Sequence, residues 1–207
     1  MSDVGFAARK LVEVETVRTQ LTERRIEVVG KARACAESYD TPYAGKREIW
    51  RDLNDFEWSL YQFTSLLHML GEVLATIRDQ CGVRLSEARP IRHAVPRLIG
   101  LRHCIHHNGL VGAQVASAEG LPHPVVGIPL ESVERHGSWG GGNPSFETFF
   151  HSADDLLVVR PIVENSETRY LAPVEETVAG VEERYGEDEL QRVASNVEIY
   201  DRSESDG

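Results

Sequence analysis

Ile49, Leu53, Phe56, Leu60, Phe63, Leu67, Leu70, Leu74, Ile77 and Cys81 follow one another at alternating steps of four and three. Such a run averages 3.5 residues per repeat, so an α-helix holds all ten side chains on one seam facing a neighbouring helix. A strand, with its period of two, would scatter them over both faces. The chain must therefore supply other helices to cover this one. Trp50, Trp58, Tyr61, Leu66, Met69 and Val73 lie off the seam and widen the apolar surface. A second face is expected to pack on another helix or another copy of the chain, and helical spacing favours core packing over an aromatic ligand box.

The remaining segments supply those helices. From Val4 to Ser38 there is no proline and glycine only at Gly5 and Gly30, while Val14, Val17, Leu21, Val28, Ala32 and Cys35 recur at helical steps. Arg24 and Arg25 interrupt the stripe, and Arg25 is expected to snorkel. Tyr39 to Gly45 reads as a turn. Gly82 closes the long helix, and Ser86 to Asn108 forms the next, with Pro90 near its first turn and Pro96 kinking it or starting it afresh. Leu98, Leu101 and Ile105 are its buried stripe, and Gly109 stands where a left-handed cap is expected.

After Gly120 the prolines and the run Gly140-Gly141-Gly142 argue for short strands. Phe146 to His151 and Leu156 to Val163 could pair as a hairpin around Ser152 to Asp155, or that serine and aspartate could start a helix. No lysine follows the glycine run at P-loop spacing, so it reads as a mobile loop. A helix is expected from Ser166 to Tyr185, ended by Gly186. A short one follows from Glu187 to Ser195, with a polar tail from Asp201. Glu175-Glu176 and Glu182-Glu183 read as a solvated helix face partly screened by Arg184. The expected fold is mainly α, one domain over 1–207: a helical part over 1–110, an irregular or β-hairpin insertion over 121–165, and C-terminal helices over 166–195.

The balance of 33 Asp plus Glu against 22 Lys plus Arg leaves a net charge of -11, so the surface as a whole repels nucleic acid and any RNA contact must be local. Lysines occur only at Lys10, Lys31 and Lys46. Acidity with lysine depletion fits a salt-adapted or high-GC source, or a basic partner on the acidic face. Cys35, Cys81 and Cys104 are odd in number and lack C-x-x-C spacing, which points to buried thiols rather than disulfides or a zinc knuckle. No stretch approaches about 18 uninterrupted apolar residues. With no signal-like N-terminus either, the expectation is a soluble, cytoplasmic protein without membrane contact.

Chemistry concentrates in Arg102-His103-Cys104-Ile105-His106-His107-Asn108-Gly109, at the end of the predicted third helix. Arg102 and His107, with Ile105 between them and Asn108-Gly109 after, make this chain resemble the HEPN family, whose motif is an Arg followed four to six residues later by His at a helix end. Two long helices before the motif helix agree, so the resemblance covers roughly the first 110 residues well and the rest loosely. It implies a HEPN-like antiparallel helical bundle and metal-independent cleavage of RNA by attack of the ribose 2'-hydroxyl on its own phosphate, with no cofactor. Histidine suits the proton transfers because both of its forms exist near neutrality. Arginine supplies a permanent charge and a planar fork for phosphate oxygens.

The resemblance also implies a C2 homodimer that brings two motifs into one cleft, with Arg102 and His107 catalytic and His103, His106 and Asn108 auxiliary. RNA is the implied substrate. A toxin or defence role implies a cognate antitoxin or regulatory protein as a further partner. His103 stands where the family usually has asparagine. It could contact phosphate or base, add an acid-base group, or mark a site that has drifted.

Two other readings stand beside this one. His103 and His107 have the i, i+4 spacing of paired metal ligands, but His93, His123, His136 and His151 offer no third ligand by spacing and no H-E-x-x-H pattern occurs, so no metal is expected. The competing class is a non-catalytic helical dimerisation or regulatory module.

Overall fold

The computed structural model of the chain describes residues 3–39, 46–109, 112–116, 123–129, 132, 150–151 and 156–204, with the backbone alone at 46–48, 107–108, 150–151 and 196–204. The fold is mainly α with a small antiparallel sheet. In chain order the elements are α1 (Asp3–Tyr39), α2 (Lys46–Cys81), α3 (Ile91–Ala94), α4 (Pro96–Asn108), β1 (Gln114–Ala116), β2 (Val125–Pro129), β3 (Phe150–His151), β4 (Leu156–Val158), α5 (Val159–Glu164), α6 (Glu167–Tyr185) and α7 (Glu187–Glu204). Contacts divide the chain into two compact units. One holds Met1–Gln20, Leu67–Ala94 and Thr168–Gly207, the other Leu21–Leu66 and Val95–Glu167.

The α2 seam is buried from Leu53 to Cys81, and seven of its members are wholly inaccessible: Phe56, Leu60, Phe63, Leu67, Leu70, Leu74 and Ile77. Ile49, at the first turn, is half-buried. The α1 stripe from Val14 to Cys35 is likewise buried. Arg25 does more than snorkel: its guanidinium reaches Glu167 at 2.6 Å. Of the two neighbours expected for the second face of α2, another helix or another copy of the chain, this chain supplies only part of the first. Val73 is buried, but Trp50 and Trp58 are 61% and 54% exposed and Met69 is also exposed, so these are not core residues of this chain.

In the second unit the sheet order is β1-β2-β4-β3, every pair antiparallel, with Gln114 opposite Gly127, Gly127 opposite Val158 and Phe150 opposite Leu157. The hairpin alternative is therefore the observed one for β3 and β4. Beyond Val158 the expected strand gives way to α5, because Pro161 removes a ladder donor yet suits the first turn of a helix. Strand β1 lies ahead of the region where strands were expected. The motif helix α4 packs on α5, and α5 packs on β2. The turn expected at 40–45, the glycine run at 140–142, residues 146–149 and the hairpin turn expected at 152–155 lie outside the described residues.

Other boundaries differ for local reasons. Helix does not begin at Ser86: the chain is irregular up to Pro90, α3 makes one turn, and Pro96 opens α4 at its first position, where its missing N–H costs nothing. The irregular stretch has a partner in the first unit. Glu176 accepts hydrogen bonds from the Ser86 hydroxyl at 2.6 Å, the Glu87 N–H at 3.2 Å, the Ala88 N–H at 2.8 Å and the Ser86 N–H. Those donors hold its carboxyl at about 2, well below the usual range, so on its solvated face Glu176 is also a structural acceptor. Helix α7 runs to Glu204, past the expected end at Ser195 and into the expected tail. No proline or glycine interrupts it, and Glu187, Asp188 and Glu189 complement its N-terminal dipole.

Cys35, Cys81 and Cys104 are buried free thiols, and burial pushes the Cys35 thiol up to about 11. Among the described residues no helix is long and apolar enough to cross a membrane.

Candidate functional site

The motif occupies the last turns of α4. Leu98, Leu101, Cys104 and Ile105 turn inward and anchor it, and burial raises the Cys104 thiol. Gly109 ends the helix with φ 75° and ψ -153°, while its N–H donates to the Ile105 carbonyl at 2.9 Å. The positive φ matches the expected cap; the ψ lies outside the left-handed helical region, in a zone essentially restricted to glycine. The backbone thereby leaves the helix sharply right after the motif.

Arg102 is half-buried, and its Nε is a buried donor with no hydrogen-bond partner among the described residues. An orphaned buried donor costs about 1–3 kcal/mol, so an oxygen acceptor there would be favourable. His103 is half-buried and engaged. His106 is exposed, and its ring lies nearly parallel to that of Tyr61, at 11° with centroids 6.4 Å apart. Tyr61 Oη stands 3.1 Å from His106 Nδ1. His107 and Asn108 fall on the final turn by backbone position, and their side chains lie outside the described residues.

On a helix, Arg102 and His106 are about 40° apart in projection, whereas Arg102 and His107 are about 140° apart. The arginine and His106 therefore share a face.

Three residues of α2 bear on the motif and the chain that follows it. Tyr61 holds His106, and Trp58 sets its edge against the Tyr61 ring at 5.9 Å and 79°. Glu57, one turn earlier and only 1% exposed, accepts the Ala113 N–H and ties down the chain just before β1. In the sequence Tyr61 reads only as an off-seam aromatic, and Glu57 goes unmarked. The available signal was a carboxylate flanking the seam one position after Phe56, where burial would demand a specific donor.

A separate concavity of about 560 Å³ lies in the same unit, between the C-terminal half of α1, β2, β4 and α5. Its floor is apolar, from Ala32, Val126 and Val158, and at its rim Arg160 is paired with Glu164 at 2.8 Å. His123 also lines it, and in the other unit His93 accepts from the Arg92 Nε–H. Among the described residues no group of three or more His, Cys, Asp or Glu side chains is placed to hold a metal ion. His136 and the His151 side chain lie outside them.

Comparison with family models, with curated proteins and with solved structures finds no match.

Proposed function

We propose that the chain is an endoribonuclease that cuts RNA without a metal ion, using Arg102 and His107 from two copies related by a two-fold axis. The observation that carries this reading is the placement of Arg102 and His107 on the terminal turns of one helix, followed by a glycine-only cap. The 2'-hydroxyl is the nucleophile, histidine moves protons, and the guanidinium holds the phosphate as charge develops on it. One Arg102-His107 pair offers a single proton-transfer group; a C2 dimer doubles it. RNA approaches this local cation against a net charge of -11, which also suits a basic antitoxin or regulatory protein as a further partner.

Pure protein incubated with end-labelled RNA and a chelator tests the reading. Expected products carry 2',3'-cyclic phosphate ends, and Arg102→Ala or His107→Ala lowers kcat by about 10²-fold or more, the usual scale for a proton-transfer or oxyanion-stabilising group. No cleavage anywhere between about pH 5 and 8, where histidine titrates, defeats it.

The exposed Trp50 and Trp58 favour a second reading, a non-catalytic interaction module in which α2 presents an aromatic face to a partner. In that case both alanine variants leave partner binding intact and the wild-type chain cuts nothing.

A further inference from the structure

We infer that His106 is a second proton-transfer residue of the motif helix and that Tyr61 is its positioning residue, an inference that rests on the ribonuclease reading above. Transfer to the 2'-hydroxyl chemistry needs two proton-handling groups. The 2'-oxygen bonds to phosphorus as its proton passes to a neutral imidazole, the P–O5' bond breaks, and an imidazolium gives O5' its proton. The products are a 2',3'-cyclic phosphate and a 5'-hydroxyl, with one proton accepted and one returned.

The structure places His106 for this role in three respects. It shares a helix face with Arg102, about 40° away in projection, so a phosphate held by the guanidinium lies on the side of that ring. It is exposed to solvent. And its ring is oriented from another element, by Tyr61 Oη at 3.1 Å from Nδ1 with the two rings stacked and Trp58 bracing the phenol edge-on.

The chemistry of the phenol is what singles it out. A carboxylate at Nδ1 could only accept from the ring, and a backbone N–H could only donate to it. A phenol does both: it donates to Nδ1 of the neutral ring and accepts from Nδ1–H of the imidazolium. His106 therefore keeps its orientation while its proton comes and goes.

The test combines kinetics with spectroscopy on the full chain. His106→Ala and the shape-preserving His106→Gln are expected to lower kcat for single-stranded RNA by about 10²-fold or more, with KM nearly unchanged. Tyr61→Phe keeps the stacked ring but removes the hydroxyl, and is expected to lower kcat by about 10-fold. Nitrogen-15 NMR of the imidazoles should then report a shifted Nδ1–H to Nε2–H tautomer balance for His106 alone, which a tyrosine that acts only through its ring packing would not produce. Wild-type kcat in both His106 variants overturns this inference while leaving the ribonuclease reading standing, as does a His106 tautomer balance unchanged in Tyr61→Phe. A wild-type chain that cuts no RNA defeats that reading first and this inference with it.

Discussion

Glu27, Lys31 and Ser59 form a small polar knot between α1 and α2. The Lys31 ammonium reaches the Ser59 hydroxyl at 2.6 Å and Glu27 Oε1 at 2.8 Å, and the hydroxyl donates to the same carboxylate oxygen at 2.9 Å. Lys31 above all, then Ser59 and Arg24, hold the Glu27 carboxyl at about 2 against an ordinary 4.5, with burial opposing them. A depressed carboxyl stabilises the fold above its ordinary value, and that stability drains away as pH falls from 4.5 towards 2. Because the knot is largely solvent-screened, Glu27→Gln is expected to cost no more than about 1 kcal/mol at neutral pH. Urea unfolding at both ends of the range checks the sign: the wild-type advantage should vanish near pH 2. At this scale the sequence was only partly legible. The motif could be seen because Arg102 to Gly109 are contiguous, whereas Tyr61 and His106 are 45 residues apart and only packing brings them together.

Helix α6 and the irregular stretch after α2 meet where a glycine is required by space rather than by φ. A Cβ added to Gly180 would fall 2.5 Å from Val83 Cγ1 and 3.4 Å from Cγ2. In an open helix Gly→Ala gains about 1 kcal/mol of helix propensity. Overpacking by one methyl against a β-branched neighbour costs about 1–3 kcal/mol, so Gly180→Ala is expected to destabilise despite the propensity gain. Val83→Ala removes the obstructing methyls. The double variant should therefore be more stable than the two single changes sum to, and additive values in urea unfolding would reject the contact. The helices themselves were largely legible, since apolar periodicity is a local property. The exceptions share a cause. The break before α4, the conversion of Val159 to Glu164 into helix and the role of Glu176 each depend on a proline's missing donor or a distant acceptor, which override the local pattern.

At the scale of the whole molecule the α2 face that periodicity assigned to packing is still uncovered. Trp50, Tyr61 and Trp58 fall within about 80° of one another around the helix, and both indoles are more than half exposed. With each aromatic side chain offering about 150–250 Å², four indoles across a two-fold axis would bury on the order of 450 Å². That is about a quarter of the roughly 1,600 Å² of a standard interface, so the patch can serve as the apolar centre of one while α2 and α4 side chains form its rim. Such an interface would also set the two motif helices close to the axis, because His106 leans on Tyr61 in the same face. Light scattering after gel filtration should therefore give twice the chain mass at micromolar concentration for the wild type. The pair Trp50→Ser and Trp58→Ser should give a monomer with unchanged helical circular dichroism, since neither indole is part of the core. A wild-type monomer would remove the composite cleft, and a variant that stays dimeric would move the interface to another face of the chain.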